Sequence, residues 1–165
     1  MAFTRQQAYQ TLAALNPAPV FLQSYEVKRL PENLDIHFGP PEEFFLAADT
    51  QDPYTRGRLV PLLDDSNFGL VTFYDPADGS LVQMDVEEPG RVRERFANWQ
   101  QYLADLMIVI GESGVEDERF RRIAGLVQFG HVDELFAFFD RVAALPHDDY
   151  HAARRQFVSG IGGHP

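Results

Sequence analysis

The 165 residues suit one domain, or one domain with an appendage, and at 45% hydrophobic and 13% aromatic they can bury a real core, which excludes a disordered chain. There is no cysteine, so disulfides and thiolate chemistry are excluded. The formal net charge is −11, and Lys28 is the single lysine among fourteen basic residues. Such a balance argues against nucleic acid, where every phosphate contact needs a nearby cation, and suits a basic protein partner or plain solubility.

The N-terminal "MAFTRQQAYQ" turns polar within a few residues and carries no secretory signal. The longest apolar run, "LMIVI" at 106–110, is far too short to span a membrane. These features lead us to expect a soluble, cytoplasmic protein.

Residues 4–15 read as a helix, with Thr4 as cap, Gln7 at the capping-box position and Tyr9, Leu12 and Leu15 on one face. "NPAP" at 16–19 stops it. "VFLQSYEVKRL", 20–30, is rich in β-branched and aromatic residues and reads as a strand. "NLDIHFG", 33–39, alternates Leu34, Ile36 and Phe38 with polar neighbours and reads as a second, half-buried strand. A short helix is expected over 40–49, then a loop.

Three further strands are expected at 58–63, 68–74 and 80–86, joined by "DDSN" and by "DPADG", the chemistry of a tight turn. Pro61 points to an edge or a bulge. From about residue 94, Phe96, Trp99, Leu103, Leu106 and Ile110 step at helical spacing, with Trp99 and Leu103 expected to be buried against Phe73 or its neighbours. Two more helices follow at 116–129, aligning Phe120, Ile123, Ala124 and Val127, and at 132–145, aligning Leu135, Phe136, Phe139 and Val142. Phe138 sits off that second stripe, so an exposed aromatic there would mark a contact surface. A last helix is expected at 148–158, then a loose tail. The order implies an α+β fold: an N-terminal helix, an antiparallel sheet of about five strands, and C-terminal helices packed on or beside it. The expected division is 1–112 and a helical extension at 113–165.

Five aspartates, Asp64, Asp65, Asp75, Asp78 and Asp85, punctuate the middle strands. A calcium loop fails: counting from Asp65, Gly69 falls at position five and Pro76 at twelve, where glycine six and glutamate twelve are needed. Turn chemistry explains them better, because aspartate accepts from its own backbone two residues on. His147 and His151 stand four apart on one helical face, a spacing that suits zinc. Asp148 stands where a metalloprotease needs glutamate, and a solvated helix start is the simpler reading. No G-x-S-x-G or phosphate-binding glycine loop occurs, and the arginines at 91–95 and 119–122 are interleaved with acids. No catalytic residue, metal or cofactor is therefore expected.

Residues 58–107 resemble the SUKH superfamily, the Smi/Knr-like domains. Their pattern is a proline-containing apolar strand, an acidic turn, a strand, a hairpin, a second strand and a helix of the form F-x-x-W/F-L. Pro61, Asp64, Asp65, Phe73, Asp75, Gly79, Phe96, Trp99 and Leu103 match those roles. "LPEN" at 30–33 begins the family's N-terminal stretch without continuing it, and the helices beyond residue 112 exceed the family core. The resemblance implies a binding module and not an enzyme; many bacterial members look like immunity proteins that neutralise a cognate toxin. The expected contact residues for a basic protein are Asp64, Asp65, Asn67, Asp75, Asp78, Glu87 and Glu88. Asp64, Asp65, Glu87 and Glu88 are expected to share one end of the sheet. Two rival classes remain: an accessory protein of a secretion or other multiprotein system, binding through the C-terminal helices, and a small hydrolase with a carboxylate/His site.

Overall fold

A computed structural model describes residues 2–162; of the loose tail expected at 159–165, residues 163–165 lie outside the described residues, while Ser159 ends the last helix and Ile161 is buried. The fold is α+β, and the chain divides into two compact units, Met1–Ala97 and Asn98–Pro165, a boundary ahead of the 112/113 division expected from sequence. No helix of the described residues is long and apolar enough to cross a membrane.

The first unit opens with α1 (Arg5–Ala14). Its capping box forms as read: Thr4 Oγ1 accepts from Gln7 N–H, and the Gln7 side chain accepts from Thr4 N–H. The next two segments correct the sequence reading. Residues 20–30 do not form a strand but contain the short helix α2 (Pro19–Gln23). Pro19 occupies its first turn, where a fixed φ and a missing N–H cost nothing. Val20, Phe21, Ser24 and Tyr25 are the buried positions, a helical and not an alternating pattern. Residues 33–39 are no strand either. Pro31–Ile36 forms a 3-10 turn broken by Glu32 and Asn33 at φ 55° and 57°, and Leu34 and Phe38 are buried while Ile36 is 61% exposed. The Asp35 carboxylate fastens this turn by accepting from Leu30 N–H at 2.9 Å.

Two short helices, α3 (Glu42–Leu46) and α4 (Asp52–Thr55), lead to the sheet. Gln51, fully buried between them, donates to the carbonyls of Phe3 and Phe44 (2.8 and 2.9 Å) and accepts from Phe3 N–H (2.7 Å), pinning the N-terminus to α3.

The sheet has four strands, not about five: β1 (Val60–Asp64), β2 (Leu70–Tyr74), β3 (Leu81–Asp85) and β4 (Val92–Phe96), an antiparallel meander in that order. The three strands expected at 58–63, 68–74 and 80–86 are present, and Pro61 sits where the β1–β2 register shifts, on an edge strand. The fourth strand, "VRERF", takes residues that the sequence reading gave partly to a helix. Phe96 ends that strand, 2% exposed. Val71, Phe73, Val82 and Met84 share a core with Phe44, Tyr54 and Leu59. The rings of Phe44 and Tyr54 lie 5.0 Å apart, and those of Phe44 and Phe73 6.0 Å apart.

The second unit is helical: α5 (Trp99–Glu112), α6 (Asp117–Val127), α7 (Val132–Val142) and α8 (His147–Ser159). Asn98 starts α5 by accepting from Gln101 N–H at 3.0 Å, so the helix begins later than residue 94. Leu103 is fully buried; Trp99, expected to be buried, is half-buried and tilts against Tyr102 at 4.9 Å. The buried face of α6 is the expected Phe120, Ile123, Ala124 and Val127. In α7 the buried set is Leu135, Phe138 and Val142. Phe138, considered for an exposed contact, stacks on Phe157 at 4.8 Å, while Phe136 and Phe139 meet Phe120 from α6. The helix is thus covered on two sides, which a single stripe does not reveal. Arg154 on α8 binds Asp105 on α5 at 2.8 Å.

Candidate functional site

The meander fixes where each acidic turn points. Leu70 pairs with Asp85, so the β1–β2 and β3–β4 links lie at one end of the sheet and the β2–β3 link at the other. Asp64, Asp65, Asn67, Glu87 and Glu88 therefore stand at one end, and Asp75 and Asp78 at the opposite end.

At the Asp75 end the carboxylates are engaged. Asp75, 2% exposed, accepts from Ala77 N–H at 3.0 Å and binds Arg58 (3.2 Å) and Arg95 (3.4 Å). Asp78 accepts from Ser80 N–H at 2.9 Å and meets Arg95 at 3.3 Å. Hydrogen bonds from Ser80, with smaller contributions from Arg95 and Arg58, hold Asp78 below the usual carboxylate range. This hairpin is a neutralised turn.

The other end differs. Asp65 Oδ1 accepts from Asn67 N–H (3.2 Å) and Gly69 N–H (2.9 Å), a turn that carries Ser66 and Phe68 at positive φ. Asp85 likewise accepts from Glu87 N–H at 2.9 Å. Glu87, Glu88 and Asn67 are exposed, and Glu88 meets Arg91 at 2.9 Å. Asp64 is only 8% exposed, and its own N–H donates to the Gly39 carbonyl at 2.7 Å. Burial, reinforced by Asp65, Glu43 and Glu42, pushes its pKa up to about 7 against the opposing hydrogen bond from Ser66.

Two hollows open here, and Glu43 lines both. One, about 540 Å³, contains Tyr25, Phe38, Gly39, Glu42 and Asp64. The other, about 490 Å³, is mostly apolar and is lined by Phe44, Leu46, Pro53, Tyr54, Phe68 and Pro89. Leu46 is 87% exposed, the barest of the large apolar side chains among the described residues. Phe68 packs edge-on against Phe44 at 5.0 Å, and Tyr54 OH donates to the Val86 carbonyl, so the β1–β2 and β3–β4 links are tied to α3 and α4.

The sequence reading found the acidic end but missed Leu46, Glu42 and Glu43, which it placed in a short helix without a role. Their signal was present: "EEFFLAAD" puts Phe44, Phe45 and Leu46 in succession on a helix of only five residues, too many apolar side chains for one buried face.

Elsewhere, His147 and His151 stack edge-on at 4.3 Å at the start of α8. Among the described residues no group of three or more histidine or carboxylate side chains converges as a metal would require. Compared with protein-family models, curated proteins and solved structures, the chain matches none.

Proposed function

We propose that this chain is a non-catalytic protein-binding module for a basic partner, acting as an immunity protein that neutralises a cognate toxin. The observation that carries the reading is an exposed apolar hollow around Leu46, with Glu43 in its lining and the carboxylates of Asp65, Glu87 and Glu88 at the same end of the sheet. An apolar centre supplies affinity once water is excluded, and a charged rim steers the approach and selects a partner of opposite sign. The net charge of −11 extends the same field over the molecule. The SUKH resemblance of residues 58–107 supports the immunity role, because a toxin that grips phosphate presents the cationic surface this acidic end would meet. The carboxylates of Asp75 and Asp78 are held by Arg58 and Arg95, so the contact surface is assigned to Asp64, Asp65, Asn67, Glu87 and Glu88 together with Leu46.

Leu46→Ala tests the reading. Leu46 is too exposed to support the fold, so stability should hold within about 0.5 kcal/mol. Affinity for the toxin that the protein neutralises should fall about tenfold or more, as for an apolar anchor at an interface centre. Unchanged affinity and unchanged neutralisation would remove the Leu46 hollow from the interface.

A further inference from the structure

The Asp64 cavity is built in a way that the rest of the acidic end is not. Asp64 is more than nine-tenths buried and lines it. Among the described residues its carboxylate receives one hydrogen bond, from Ser66 N–H to Oδ1 at 2.9 Å, and Oδ2 receives none. Ionising a carboxylate in a residue this deeply buried is costly, and the cost is relieved when a cation reaches it through the cavity.

The resident cations do not fill that place. Arg5 is committed to Glu42 (2.9 Å) and to the Tyr25 carbonyl, with its guanidinium 5.0 Å over the Tyr25 ring. Lys28 lines the mouth with an exposed side chain. The remaining charged groups facing the cavity are Glu26, Asp35, Glu42 and Glu43, so its field is negative. Tyr25, Leu30 and Phe38 give it apolar walls, with Phe38 held by stacking on Phe21 at 4.4 Å. An acidic floor under aromatic walls suits a cation on an aliphatic stem. A metal ion is a poor fit, since no set of three ligating side chains converges among the described residues.

We propose that this cavity is a socket for one basic side chain of the protein partner, with Asp64 Oδ2 accepting from its cationic head and Tyr25 and Phe38 flanking its stem. The proposal rests on the protein-binding reading above and names the chemistry of its central contact. Cation entry favours the ionised carboxylate, so binding releases a proton, and apparent affinity rises with pH up to about neutrality and then levels off.

The test uses Nα-acetyl-arginine methylamide as probe and its neutral isostere, Nα-acetyl-citrulline methylamide, followed by amide NMR shifts. The arginine probe should give saturable shifts at Gly39, Asp64 and Ser66 with millimolar affinity, several-fold tighter at pH 7.5 than at pH 5.5, and the citrulline probe should give none. Asp64→Asn keeps the Ser66 hydrogen bond and should weaken the probe about tenfold and abolish its pH dependence. Gly39→Leu provides a second route: a Cβ there meets nothing nearer than 3.8 Å, so the side chain can enter the cavity and block it with Asp64 intact. Equal binding of the two probes, no saturable shift at those amides, or full binding to both variants would overturn the socket. Loss of the probe in Asp64→Asn with undiminished toxin affinity would overturn its role in partner binding and leave the Leu46 surface standing. Loss of toxin affinity in Leu46→Ala alone would support that surface without the socket.

Discussion

Asp64→Asn should be more stable than the parent at pH 8 and close to it at pH 4. Burial raises the folded-state pKa of Asp64 from 3.8 to about 7. The folded protein therefore holds this proton more tightly than the unfolded chain does. Stability from the protonated form is fully present below pH 4 and is lost as pH rises towards and through 7. At pH 8 the parent carries the full penalty, on the order of 4 kcal/mol, and asparagine carries none while keeping the acceptor for Ser66 N–H. Urea unfolding of both proteins at the two pH values isolates the effect, because every other carboxylate is common to them. A stability difference that does not change with pH would mean Asp64 ionises freely in the folded state.

Phe73→Ala should cost about 3–5 kcal/mol, the range for deleting a large buried aromatic. Phe73 is fully buried in β2, with Phe44 at 6.0 Å and Tyr54 stacked at 6.5 Å. Its removal leaves a cavity between the sheet and the two short helices that also shape the Leu46 hollow. Tyr74→Ala, the next residue and only half-buried, serves as the control and should cost less than half as much. Chemical denaturation decides it; equal losses at the two positions would contradict the assignment of the core to the Phe73 face.

The parts of the fold that were legible in sequence are those where local chemistry and burial agree. The meander from 58 to 86 could be read because Asp64, Asp65, Asp75 and Asp78 fasten their own turns between apolar runs. Helix α6 could be read because it buries one clean stripe. Residues 20–39 were misread because strand propensity is a weak signal. Val20, Phe21 and Tyr25 are strand formers, yet their burial is helical, and Pro19 sets the helix in place. Strand β4 was missed because "VRERF" is a charged edge, exposed along most of its length, with only Phe96 buried.

The candidate site was half-legible for a similar reason. Charge at one end of the sheet follows from strand order and could be read. The burial of Asp64 depends on Gly39 and Tyr25, which reach it through tertiary packing: Gly39 bridges to Asp64, and Tyr25 OH donates to the Leu62 carbonyl two residues away. Nothing local to "PLLDDSN" distinguishes the aspartate that is buried from the one that only holds the turn.

The most direct test of a basic partner at this end of the sheet is the association rate constant with the proposed toxin partner, measured by stopped flow across a range of salt. The parent and a Glu43→Gln/Asp65→Asn/Glu87→Gln variant are compared. These three carboxylates stand at the acidic end, Glu43 and Glu87 are exposed, and asparagine retains the Asp65 turn acceptor, so the fold should be preserved. The parent should associate fast at low salt and slow steeply as salt is added, and the variant should associate about tenfold more slowly at low salt and respond weakly to it. Equal rates with equal salt dependence would contradict the account and place the partner elsewhere on the molecule.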